Sequence, residues 1–146
     1  MSRPARTCVV LLLFVALAGC VGLGLPPGDD DGGETTPGND YARTTVELVD
    51  ANGTRLATVE AWVADTWRKR YTGLSDTTEL EPGEGMLFVH ETEGTHSYVM
   101  RKMDFPLDMV FVAENGTITT IHHAPLPADG EDLTQYSGRA KYVLEL

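Results

Sequence analysis

The sequence predicts an α+β fold that is mainly β: a compact antiparallel sheet or partly open barrel carrying one short helix. Three observations lead there. Between Thr44 and Leu146, apolar and polar residues alternate in several runs with the two-residue period of half-buried strands. Turn formers separate these runs, and two of the separators are Asn-Gly, the strongest short hairpin signal. Helical spacing behind a capping residue occurs only near Asp65 to Leu74.

The chain begins with a different kind of segment. Arg3 and Arg6 precede the apolar run Cys8 to Gly19, which is too short to cross a bilayer comfortably and fits the apolar centre of an export leader. It closes on Leu17-Ala18-Gly19-Cys20, which resembles a lipobox, in which the Cys20 thiol accepts a diacylglycerol. Residues 1–19 are thus expected to be a signal peptide. Residues 20–43, rich in Gly, Pro, Asp and Thr, read as a flexible acidic tether on a lipidated Cys20. Residues 44–146 form the expected domain, large enough for one small core. The expected location is the outer, extracellular face of the cytoplasmic membrane, held by the lipid. Arg3-Pro4-Ala5-Arg6 lacks the adjacent pair of a twin-arginine signal, so either export route remains open.

Both cysteines precede the domain, so its stability rests on packing rather than disulfides. The net charge is −11, and removal of Arg3 and Arg6 with the leader takes it to −13. Such a surface repels nucleic acid and anionic headgroups, and resembles the solvating acidic surfaces of salt-loving, halophilic proteins.

In order, "TTVELVD" alternates Val46 and Leu48 with Thr45 and Glu47, and "RLATVEAWVA" places Ala57, Val59, Ala61 and Val63 on one face. Asn52-Gly53 turns between them. Asp65 or Thr66 caps a helix with Trp67, Tyr71 and Leu74 in one stripe, stopped by Gly73, while Arg68 and Lys69 point to water. "GMLFVH" reads as a central strand covered on both faces, followed by a turn at "ETEGT" and the strand "HSYVM". "LDMVFVA" and "TITTIHH" flank the Asn115-Gly116 turn, and a Pro-rich loop leads to "AKYVLEL". Asn52 and Asn115 each open an N-glycosylation sequon and are glycosylation candidates.

The blocks "RYTGL", "GMLFV", "YVMR", "PLDMVFV", "NGTI" and "YVLEL", in this order, resemble the domain of unknown function 192 family from about Val46 onward. The resemblance implies a compact, mainly β, often exported or membrane-associated domain with no established activity and no agreed catalytic residues. This chain has Lys102-Met103 where the family commonly has Asn-Thr. Family members usually continue past the last strand, so a stop at Leu146 is expected to leave an open sheet edge.

A two-residue Asn115-Gly116 turn pairs Ala113 with Ile118, Val112 with Thr119, Val110 with Ile121 and Asp108 with His123. Asp108 then enters a strand beside Val110 and Val112 and requires a partner, with His123, Arg101 and Arg70 as candidates. An Asp orienting a His is the base half of a hydrolytic dyad, or a structural carboxylate pinning a strand. No cysteine lies in the domain, and Ser75, Ser97 and Ser137 lack a nucleophile-elbow context. His90 and His96 are placed to face each other across the "ETEGT" turn, with His122 and His123 in a second hairpin, but no local spacing fixes a zinc geometry. Met86, Met100, Met103 and Met109 read as core filler. No catalytic residue, metal or cofactor is assigned.

Arg70, Tyr98, Arg101, Asp108 and His123 are the ligand-binding candidates, suited to a small polar ligand such as a sugar or carboxylate. The expected function is a membrane-anchored cell-surface lipoprotein acting as a non-catalytic ligand-binding or accessory module. The alternatives are a hydrolase using Asp108 and His123, and a structural subunit whose protein partner covers the open edge.

Overall fold

A computed structural model of the protein describes residues 40–146, Pro37 and the backbone of Val10–Phe14. The expected lipid-bearing Cys20 and most of the tether lie outside the described residues. The strands are β1 (Val10–Phe14), β2 (Ala42–Val49), β3 (Arg55–Ala64), β4 (Glu84–Tyr98), β5 (Leu107–Val112), β6 (Ile118–Ala124) and β7 (Tyr136–Glu145), and α1 (Trp67–Thr72) joins β3 to β4. They form one sheet in the order β1-β2-β3-β4-β7-β5-β6, to which the expected domain contributes the six strands β2 to β7. The backbone of β1 pairs antiparallel with β2 from Val10↔Val49 to Phe14↔Thr45. It falls within the stretch expected to leave as the signal peptide, so on that reading β2 is an edge of the mature sheet.

The sheet is mixed rather than wholly antiparallel, because β3 and β4 run parallel from Glu60↔Glu84 to Ala64↔Phe88. The chain leaves β3, passes through α1 and a loop, and returns beside the same strand in the same direction, as parallel neighbours require. The strand before Leu146 is not an edge: β7 lies between β4 and β5, and Asp108 and Leu146 exchange backbone hydrogen bonds of 3.0 Å.

Apolar layers cover both faces at the centre of the sheet. Trp62, Met86, Phe88, Met109, Phe111 and Val143 belong to one, and Val59, Ala61, Leu87, Val110, Val112 and Leu144 to the other. Two-sided burial explains why "GMLFV" and "LDMVFV" read as unbroken apolar runs. On β3 the core begins at Val59, next to the half paired with β4: Ala57 is exposed, whereas Trp62 and Ala64 are buried on the face opposite Val59 and Ala61.

No turn breaks β4 at "ETEGT". The strand runs through fifteen residues and absorbs the extra length as a bulge between Val89 and Gly94 against β7. Glu93 pins that bulge from two directions, accepting from Arg139 Nε at 2.7 Å and from the Glu114 backbone N–H at 2.7 Å. The β5–β6 connection also differs from expectation. The Ala113 N–H donates to the Thr117 carbonyl (2.8 Å), the Gly116 N–H donates to the Ala113 carbonyl (2.9 Å), and Gly116 takes φ 86°, a three-residue loop with a glycine bulge. Val112 therefore pairs with Ile118 rather than Thr119. The bulge takes up the slip, and farther along Val110↔Ile121 and Asp108↔His123 pair in the expected register. Both sequon asparagines stand exposed in turns.

β6 then leans over the first half of β7. Thr119 Oγ1 donates to the Arg139 carbonyl at 2.6 Å, and His122 Nε2 lies 2.9 Å from the Ser137 carbonyl. This close approach depends on Gly138, where an added Cβ would sit 2.6 Å from the Phe111 ring. The sheet folds toward itself without closing, leaving one face of β4 and β7 to be roofed by α1.

Candidate functional site

The helix does not pack as its apolar stripe suggests. The Thr66 hydroxyl caps it by accepting from the Lys69 N–H, Gly73 ends it at φ 53°, and none of its residues is buried. Only Leu74, just past the end, enters the core. Trp67 and Tyr71 remain 71% and 59% exposed. Two arginines hold the helix against the sheet. Arg70 Nη1 donates to the carbonyls of Asp65 and Val89, each at 2.8 Å, and Arg101 Nη2 reaches back from the far side to the Tyr71 carbonyl at 2.6 Å.

Beneath this roof lies a cleft of about 340 Å³. Arg70, Tyr98 and Arg101 all line it, so the structure brings together three of the five sequence candidates. Its deeper wall carries Glu145, in register with Met86 on β4 and Met109 on β5. Flanked by two methionines and only 5% exposed, that carboxyl forms no hydrogen bond with any described residue, and burial pushes its pKa up to about 8. Mainly protonated at neutral pH, it can donate as well as accept.

Tyr98 packs edge-on against Phe88 and Phe111, and its hydroxyl meets His90 Nε2 at 2.9 Å. Burial, reinforced by the charge of Glu145, raises the phenol's pKa. His90 stacks on His96 because the β4 bulge brings both rings together. Burial, then His96 and Arg70, lowers the pKa of His90 to about 4, so its ring is neutral at physiological pH. His96 Nε2 is buried with no hydrogen-bond partner among the described residues.

Asp108 and His123 lie apart from this cleft. Their side chains meet at 2.5 Å across the β5–β6 ladder, but they face an open depression lined by Pro106, Leu107, Ala124, Pro125 and Leu146. Neither Arg70 nor Arg101 is the partner of Asp108. His122 is engaged with Ser137, so the four histidines do not converge, and among the described residues no group of three or more His, Cys, Asp or Glu is placed to hold a metal ion.

Glu145 is the site residue that sequence reasoning missed. Its signal was present: Val143 and Glu145 share one face of a strand, so a core position carries a carboxyl.

Residues 47–146 match the family model DUF192, described as uncharacterized ACR. The crystal structure of a protein from Sinorhizobium meliloti 1021, described as a candidate transcription regulator, is 30% identical, with 75% of this chain and 84% of that one covered at a TM-score of 0.66. A protein of unknown function from Novosphingobium aromaticivorans DSM 12444 is 25% identical, with 82% and 87% covered at a TM-score of 0.61. No curated protein matches.

Proposed function

This chain belongs to the DUF192 family, and within it we propose a non-catalytic module that binds a small polar ligand in the cleft under α1. A lipid on Cys20 would hold it at the outer face of the cytoplasmic membrane. The observation that carries the binding reading is His96 Nε2, which belongs to a residue lining the cleft and is buried with no hydrogen-bond partner among the described residues. A buried polar atom left unpaired costs about 1–3 kcal/mol. A ligand that bonds it recovers that loss. The transcription-regulator description of the Sinorhizobium protein is not carried over, because an acidic surface repels nucleic acid.

The test is a thermal-shift screen of small polar compounds, since any ligand that prefers the folded form raises the melting temperature. A hit whose shift disappears in Arg101→Ala supports the cleft. A hit unaffected by both Arg101→Ala and Glu145→Gln moves binding elsewhere.

The hydrolytic alternative has the 2.5 Å Asp108–His123 pair in its favour. Its weakness is that no residue lining that depression carries a hydroxyl or thiol. Turnover on a panel of esters and glycosides that Asp108→Ala abolishes would restore it.

A further inference from the structure

We propose that the ligand is a sugar ring, laid by its apolar face on Trp67 and read through its hydroxyls by Glu145, Tyr98 and His96. The inference rests on the binding reading above and specifies its ligand.

The first ground is an aromatic ladder at the mouth of the cleft. Trp67 stacks on Tyr71 with ring centroids 5.3 Å apart and planes 17° from parallel, and the Arg101 guanidinium covers the next face of Tyr71 at 4.1 Å. Arg101 also bonds the Tyr71 carbonyl, so the ladder is clamped at its inner end. Its outer end is open, because Trp67 is 71% exposed. α1 buries no residue, so these rings are not core, and two large aromatics held rigid in water beside a cleft suit an amphipathic planar or ring-shaped partner.

The second ground is the chemistry inside. A protonated Glu145, the Tyr98 hydroxyl, a neutral His90 and the unpartnered His96 Nε2 combine donors with acceptors, the complement of hydroxyl groups, which are both. A bare anion would want donors alone, and a cation is opposed by Arg70 and Arg101 at the rim. The volume, about 340 Å³, sits at the low end of ligand pockets, room for one ring and its substituents.

Titration with glucose, galactose, N-acetylglucosamine and glucuronate, and with short oligosaccharides containing them, tests this by tryptophan fluorescence and melting temperature. The only other tryptophan, Trp62, is buried, so Trp67 is the reporter at the surface. At least one sugar is expected to change the emission saturably at millimolar concentration or below and to raise the melting temperature. Trp67→Ala should weaken that binding about tenfold or more, while the ligand-free variant still unfolds in one cooperative transition. A response to acetate, succinate or citrate with none to any sugar overturns the sugar and leaves the binding reading standing. Silence across both classes overturns both. Sugar binding that survives Trp67→Ala undiminished overturns the stacking role.

Discussion

His90 stacks on His96 with ring centroids 3.4 Å apart and planes 9° from parallel, while its Nε2 meets the Tyr98 hydroxyl at 2.9 Å. Rings this close cannot both carry charge comfortably, and burial, His96 and Arg70 together hold His90 neutral down to about pH 4. Glu145, in the same cleft, is shifted in the opposite sense for an acid, so both groups are neutral in the folded protein near pH 7. The cleft is polar but largely without charge at its centre, and charged only where the arginines border it.

Stability should therefore respond to pH from both sides. The folded pKa of Glu145, about 8, lies above its ordinary 4.5, so its contribution is complete below pH 4.5 and is lost as pH rises toward 8. The folded pKa of His90 lies below its ordinary 6.5, so its contribution is complete above 6.5 and is lost as pH falls toward 4. Glu145→Gln removes the first slope alone. The melting temperature of the variant relative to the wild type should climb steadily between pH 4.5 and 8, by an amount worth on the order of several kcal/mol at about 1.4 kcal/mol per pKa unit. A difference that stays constant over that range would mean the carboxyl is solvated.

Lys102 takes φ 54°, the one described non-glycine residue with positive φ. A lysine there carries a steric penalty of about 1–2 kcal/mol that asparagine, with its short polar side chain, tolerates better. Lys102→Asn is expected to raise unfolding free energy by about 0.5–1 kcal/mol in urea titrations. Because the side chain is exposed, no packing is sacrificed, and a destabilised variant would contradict the backbone conformation.

The strands and the Asp108↔His123 pairing were legible in the sequence because period-two alternation and an Asn-Gly turn are local signals. What escaped depended on distant partners. The "ETEGT" stretch looked like a turn because nothing nearby reveals that Arg139 and the Glu114 N–H would hold Glu93 in a bulge. The stripe Trp67, Tyr71 and Leu74 looked like core because helical periodicity does not tell a face that packs from a face that borders a cleft. Arg70, Tyr98 and Arg101 stand out as a group because charges and an aromatic interrupt apolar runs. Asp108 interrupts an apolar run in the same way, but its strand places it on a different surface. Glu145 gives no such signal, because a single acid near the end of a strand resembles an edge residue, and only the flanking β4 and β5 bury it.

Gly138 marks where β7 passes under Phe111. An added methyl would lie 2.6 Å from the ring, and the ring is itself fully buried between Tyr98 and His122. Gly138→Ala should destabilise the domain by about 1–3 kcal/mol, the usual penalty for overpacking a filled core. In a Phe111→Leu background the same change should be milder, since the obstructing ring is gone. Equal penalties in both backgrounds would place the clash on the backbone instead.

Asp108 and His123 form a short contact, 2.5 Å, yet their side chains are 50% and 81% exposed. Water screens such a pair, and exposed ion pairs contribute about 0–1 kcal/mol. The entrance of β5 is meanwhile held by the two backbone bonds between Asp108 and Leu146, which no side-chain substitution removes. A double-mutant cycle with Asp108→Ala and His123→Ala, read by urea unfolding, should return a coupling below about 1 kcal/mol. A larger coupling would require these side chains to be shielded by something absent from the isolated domain. The exposed depression around them, rather than the cleft under α1, would then be the better place to look for a partner.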